Sequence, residues 1–293
     1  MYLTHFGLRE LPFVITPDTA YAFRSRSHQR ALNTLLVALQ LGEGFIKIVG
    51  EVGTGKTLLC RRFLAKLPEG TVSAYIPNPA LRPRPLLFAL TQELRIPVPA
   101  RATEYDMRLK LEAAMIEHAH AGRRVVICLD EAQTIPSQSL EILRLLSNLE
   151  TEKSKMMQLV MFGQPELDRR LAKPSVRQLR QRIAFSYRMR AMSEEEVDAY
   201  VEHRLRVAGR EGARVFTPQA TRILHAASGG VPRLVNILAN KSLMLAYGRG
   251  VAEVGPREAW LAARDTADSR NPRLYRLPAW AGLGMLSAMQ AVG

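Results

Sequence analysis

The chain has 293 residues, 47% of them hydrophobic, and 41 lysines and arginines against 27 acidic residues give it a formal net charge of +14. That size and apolar content support one large core or two smaller ones, and two cysteines exclude a disulfide-stapled scaffold. The basic balance favours polyanions, whether nucleotide, nucleic acid or an acidic membrane leaflet, without choosing among them.

In chain order, residues 1–26 are rich in aromatics and prolines, with Phe6, Pro12, Phe13, Pro17, Tyr21 and Phe23, and read as an extended arm lying on the domain. The opening MYLTHFGLRELPF lacks a charged stretch followed by an apolar one, so no export signal is visible and a cytoplasmic location is expected. Ser27 is expected to cap a helix with Leu32, Leu35, Leu36 and Leu39 on one face, ended by Gly42 and Gly44.

Phe45, Ile46, Ile48 and Val49 then form a short apolar run that reads as a buried strand. It is followed at once by GEVGTGKT, the G-x-x-x-x-G-K-[ST] pattern in the context it needs, a strand before and a helix after. The phosphate cradle is Gly50, Glu51, Val52, Gly53, Thr54, Gly55, Lys56, Thr57 and Leu58. Gly50, Gly53 and Gly55 let the backbone turn its N–H groups inward, Lys56 reaches the β- and γ-phosphates, and the Thr57 hydroxyl ligates Mg²⁺.

After a turn at Pro68, Glu69 and Gly70, residues Thr71 to Ile76 alternate into a second strand, and helix-length apolar material follows in 81–101. Thr103 opens a helix running to about His120, and Val125 to Leu129 is apolar enough to be covered on both faces, as in a parallel sheet flanked by helices. Cys60 and Cys128 read as small buried hydrophobes. Ser137 is expected to cap the helix carrying Leu140, Leu143, Leu146 and Leu149, and Leu159 to Phe162 and IAFSY supply two more strands. Strands alternating with helices through 45–187 predict an open α/β sheet. From Ser193 the pattern is helical only: Ser193 with Glu196 makes a capping box, Thr217 caps a helix starting at Pro218, and Pro232 opens a third that Gly248 closes. This is a small all-α lid domain. The predicted boundaries are an arm over 1–26, the α/β domain over 27–190, the lid over 191–268 and a tail over 269–293, whose uncharged stretch 277–293 is shorter than the roughly 20 apolar residues of a membrane span and leaves a weak membrane contact open.

Asp130 and Glu131 end the strand VVICL, at the edge where open α/β sheets place ligands. In a nucleotide site the first acid holds Mg²⁺ and the second polarises the attacking water. Gln164, directly after its strand, is positioned to touch the γ-phosphate and that water. Positive charge for the departing phosphate is available from Arg177, Arg180 and Arg182 in RQLRQR and from Arg233 in SGGVPRLVN.

Taken together, FGLRELPF, SHQRALNTLLVAL, GEGFIKIVGEVGTGKT, LDEAQ, LRLLSNLET, GQPEL, LRQRI and SGGVPRLVN resemble the ExeA/GspA-type AAA+ ATPases. The compact form is most similar to the MshM-type branch linked to mannose-sensitive haemagglutinin (type IV) pili. The resemblance implies a P-loop core, ATP with Mg²⁺, a homo-oligomeric ring or partial ring, and partners in an envelope pilus or secretion machine, with the chain cytoplasmic or peripheral at the inner membrane. By position it makes Gln164 sensor 1, Arg182 or else Arg180 the arginine finger, and Arg233 sensor 2, with Leu11, Pro12 and His28 bordering the adenine. Relatives of the same core regulate transposition on DNA, so an ATP-switched DNA-binding regulator stands as the alternative, using arginines such as Arg169, Arg170, Arg177 and Arg188.

Overall fold

The computed structural model describes residues 2–16, 18–149 and 155–270, which divide into two compact units, one of 26–190 and one of 1–25 with the chain from 191 onward. In chain order the elements are α1 (Tyr2–His5), α2 (Arg26–Gln40), β1 (Phe45–Val49), α3 (Lys56–Leu64), β2 (Thr71–Ile76), α4 (Pro83–Glu93), α5 (Glu104–His120), β3 (Arg124–Leu129) and α6 (Ser137–Leu146). They continue with β4 (Met157–Gly163), α7 (Glu166–Leu171), α8 (Arg177–Gln181), β5 (Ile183–Arg188), α9 (Glu194–Val207), α10 (Pro218–Ser228), α11 (Pro232–Gly248) and α12 (Pro256–Arg264).

The first unit is an α/β P-loop fold around one parallel sheet of order β2-β3-β4-β1-β5. Strand residues alternate between its faces. Phe45, Val49, Ile127, Leu129, Leu159 and Met161 pack with Leu86 and Leu90 of α4, Leu111 of α5 and Leu143 of α6. On the opposite face Ile46, Ile48, Val126, Cys128, Val160 and Phe162 pack with Leu35 of α2 and with Leu59, Cys60 and Phe63 of α3. Both faces are therefore covered, which is why β3 and β4 carry almost no polar residue.

The second unit is built on α9 to α12, with Val201, Leu205, Leu224, Leu238 and Leu243 in its core. The capping box at Ser193 and Glu196 forms, and the Thr217 hydroxyl accepts the N–H of Ala220. Four details differ from the sequence reading. The N-terminal arm belongs to this helical unit, because Phe6, Leu8, Phe13 and Tyr21 complete its core, and its carbonyl at Pro12 accepts from the buried Arg204 guanidinium, which also stacks 4.6 Å from the Tyr21 ring centre. A fourth helix, α12, opens on Gly255 and Pro256, the same proline-first start as α10 and α11, and is absent from the sequence reading. Ser27 does not cap α2, which begins at Arg26; its hydroxyl instead accepts the N–H of Arg190 at 2.8 Å. Ser137 is likewise the first residue of α6, preceded by Pro136. The uncharged stretch 277–293 lies outside the described residues. Among those described, no helix is long and apolar enough to cross a membrane.

Lys47 is the one charged residue of β1, an interior strand between β4 and β5, on the face of Phe45 and Val49. It pairs with Asp168 of α7 at 2.5 Å, and Arg188 at the end of β5 pairs with the other oxygen of the same carboxylate at 2.6 Å. Asp168→Ala strands the largely buried Lys47 ammonium and is expected to cost about 1–3 kcal/mol, the usual penalty for an unsatisfied buried polar group. Lys47→Met should cost less, because Arg188 still satisfies Asp168. Urea unfolding midpoints of the two variants measure this order, and the reverse order contradicts it.

Candidate functional site

The loop after β1 takes its shape from its glycines. Gly53 and Gly55 adopt φ of 78° and 87°, in the left-handed region open to glycine without a Cβ penalty. A Cβ at Gly55 would also meet His28 Nε2 at 2.6 Å, so the buried His28 ring backs the loop where the loop passes into α3. The chain then enters α3 with Lys56, whose buried Nζ donates to the carbonyls of Gly50 at 2.9 Å and Glu51 at 3.0 Å. Glu51 and Val52 stand exposed at the loop's crest.

Three neighbouring strands end on this rim. The Thr57 hydroxyl donates to Asp130 Oδ2 at 2.5 Å, joining the start of α3 to the end of β3, and Asp130 Oδ1 accepts the N–H of Glu131 at 3.0 Å. Glu131 follows with φ 49° and ψ 37°, a left-handed conformation uncommon for a residue with a side chain and a recurring mark of functional sites. Its carboxylate Oε2 accepts from the amide of Gln164 at 3.0 Å and from that of Gln133 at 2.5 Å. Lys56, Thr57, Asp130, Glu131 and Gln164, expected from the sequence to cooperate, are thus brought together. Thr57 Oγ1 and Asp130 Oδ2 offer two adjacent hard oxygens, the donor type that suits Mg²⁺, whose remaining positions are ordinarily filled by phosphate and water.

Burial sets the electrostatics. It holds the Lys56 ammonium below the ordinary lysine range, opposed by Glu131, Asp130 and Glu51. It pushes the Asp130 carboxyl up, opposed by the hydrogen bonds from Thr57 and the Glu131 N–H. Tyr75 of β2, whose hydroxyl lies 3.4 Å from Asp130 Oδ2, is pushed up to about 12 by burial and by that neighbouring carboxylate.

Other expected residues fall elsewhere. Arg182 is engaged within its own chain, donating to Ser147 Oγ at 2.9 Å and Ser147 O at 3.2 Å at the end of α6. Arg180 beside it is exposed. Arg233 is exposed on the first turn of α11, and Leu11 and Pro12 belong to the helical unit. Of the arginines proposed for a duplex, Arg170 donates to the Ile135 carbonyl and Arg188 pairs with Asp168, while Arg169 and Arg177 are exposed. Sequence reasoning missed Gln133 and Tyr75. Gln133 has no signal beyond its place in LDEAQ, and Tyr75 is hidden in an ordinary alternating strand.

Since the folded-state pKa of Asp130 is raised, this group favours folding below its unfolded pKa and that contribution is lost as pH rises through the folded value. At neutral pH its ionised form is therefore a load on the nucleotide-free fold. Asp130→Asn keeps an acceptor for the Glu131 N–H and is expected to melt at or above the unmodified protein's Tm at neutral pH, the difference narrowing as pH falls. A lower Tm at neutral pH contradicts this.

Residues 39–171 match the AAA domain family. General secretion pathway protein A of Aeromonas hydrophila is 43% identical over 276 residues, covering 92% of this chain and 49% of that protein, so the chain spans about half the length of this relative. Among solved structures, Cdc6p of Pyrobaculum aerophilum superposes with a TM-score of 0.66 at 16% identity, covering 94% of this chain and 78% of that one. The ORC2 protein of Aeropyrum pernix gives 0.60 at 18% identity, covering 92% and 79%, and the RuvB branch migration motor of Thermotoga maritima gives 0.52 at 13%, covering 84% and 73%. These three establish the fold alone, which is that of a P-loop NTPase. The sequence match over nearly the whole chain, with the AAA domain match inside it, places the chain in the ExeA/GspA-type AAA ATPase family.

Proposed function

We propose that the chain binds ATP with Mg²⁺ and hydrolyses it to drive an envelope secretion or pilus-assembly machine of the MshM type. The observation that carries this reading is the convergence of Lys56, Thr57, Asp130, Glu131 and Gln164 on one rim of the parallel sheet, with the Thr57 hydroxyl and the Asp130 carboxylate in direct contact. Lys56 and the loop N–H groups hold the phosphates. Thr57 and Asp130 would hold Mg²⁺, which would supply charge neutralisation at the phosphate oxygens. Glu131 takes the proton of the attacking water, and Gln164, already on the Glu131 carboxylate, orients that water. His28, whose ring backs the loop at Gly55, is proposed to border the adenine.

Hydrolysis is completed by an arginine of a neighbouring subunit in a homo-oligomeric ring or partial ring. We assign that arginine to Arg180, because Arg182 is spent on Ser147 at the end of α6 while Arg180 faces solvent. The machine is inferred from the secretion-pathway relative, which this chain resembles over nearly all of its own length. A cytoplasmic position, peripheral at the inner membrane, follows from the same inference.

Steady-state turnover across a small series of variants tests this chemistry. Glu131→Gln should keep nucleotide binding and lose roughly 10² to 10⁴ in turnover, the usual worth of a positioned base. Lys56→Ala should weaken binding itself. Arg180→Ala should lose up to roughly the 10³ to 10⁵ that trans-acting arginines supply, at unchanged Tm, and mixing it with Lys56→Ala should restore activity across rebuilt interfaces. Arg182→Ala should lower Tm instead. Full turnover in Glu131→Gln, or turnover per subunit independent of protein concentration, would remove the corresponding role.

A second reading, an ATP-switched DNA-binding regulator, draws on the net charge of +14. Duplex affinity measured at low and high salt with ATP separates the two. A regulator should lose affinity with a log–log slope of about 0.9 per phosphate contacted and should require ATP. The assembly reading expects weak binding indifferent to nucleotide.

A further inference from the structure

Gln133 bridges two residues of the site. Its Nε2 donates to Glu131 Oε2 at 2.5 Å, and its Oε1 accepts the backbone N–H of Gln164 at 3.0 Å. A backbone N–H can only donate, so the amide oxygen must face Gln164 and the amide nitrogen must face Glu131; the network leaves the group one orientation. The side chain of Gln164 donates to the same Glu131 oxygen at 3.0 Å. Two amides therefore converge on Oε2, and Oε1 takes no part in this bridge.

The backbone is shaped to deliver this contact. Glu131 sits in the left-handed region, a conformation that the surrounding structure must over-determine. The single 3₁₀ turn of Ala132–Thr134, closed by the Thr134 N–H on the Glu131 carbonyl at 2.9 Å, brings Gln133 back beside the acid. At the end of β4, a Cβ on Gly163 would stand 2.7 Å from Leu167 Cδ2 and 3.1 Å from Leu167 Cβ, so a bare backbone there lets α7 close onto the strand end beside Gln133.

We propose that Gln133 is a positioning residue for hydrolysis: it aims the Glu131 carboxylate by holding Oε2, leaves Oε1 to accept the proton of the attacking water, and locks that aim to the end of β4 through the Gln164 N–H. The assignment rests on the reading of Glu131 as the base. It adds a mechanical link, since a shift of the β4–α7 junction reaches the base through the Gln133 side chain as well as through that of Gln164.

Gln133→Glu tests it. The variant is isosteric and keeps an acceptor for the Gln164 N–H, but it replaces the donor on Glu131 with a second carboxylate. Turnover should fall by about 10²-fold, the cost of misplacing a reacting group by an ångström, while KM for ATP and the affinity for nucleotide stay within about threefold. In single-turnover assays on the Glu131→Gln background, adding Gln133→Glu should cost little more, because the group it aims is already gone and the two losses are coupled. Gln133→Leu, which removes both hydrogen bonds, should reproduce the split between kcat and KM and serves if the charged variant fails to fold. Undiminished turnover in both variants, losses that multiply in the double variant, or a joint fall of kcat, affinity and Tm would each overturn the positioning role. Turnover unaffected by Glu131→Gln alone would instead overturn the base itself, so the two failures are told apart.

Discussion

The parallel alignment of β1, β3 and β4 as immediate neighbours is the constraint from which the site follows. Parallel strands expose their C-terminal ends on one edge, and the order β3-β4-β1 sets three such ends side by side. The loop after β1, the two acids after β3 and the glutamine after β4 are far apart in the chain yet meet because the sheet leaves them no other edge. The helices on both faces are what permit strands this apolar, and their cores are continuous with the strand residues that precede each site residue.

The site is held together by polar contacts that run between elements. Thr57 on Asp130 joins helix to strand, and Gln133 and Gln164 on Glu131 join the ends of two strands. Burial works on the two charges in compensating ways. The Lys56 ammonium and the Asp130 carboxylate are each disfavoured by desolvation, and each is partly restored by the other. A polyanion with a divalent cation would supply both with partners, which is the physical sense in which this rim fits a magnesium nucleotide.

Much of this was legible in the sequence because the signals are local. All five strands follow from short apolar runs bounded by turns, and the loop from glycine spacing between a strand and a helix. What escaped is what depends on tertiary contact. Ser27 looks like a cap and serves as an acceptor for Arg190, a residue 163 positions away. The aromatic arm looks like a cover lying on the domain and completes the core of the helical unit, because apolar residues carry no address. Arg182 and Arg180 are indistinguishable as letters, and only the position of Ser147 separates them. Gln133 is an unremarked polar residue until the left-handed turn at Glu131 folds it back.

The account stands on one claim, that this rim binds a nucleotide through Lys56, Thr57 and Asp130 acting together with a divalent cation. Calorimetric titration of the unmodified chain with ATP, with and without Mg²⁺, tests it most directly. The account predicts saturable binding of one nucleotide per chain at or below millimolar concentration, tighter when Mg²⁺ is present. No binding at millimolar ATP, or binding indifferent to Mg²⁺, would contradict it.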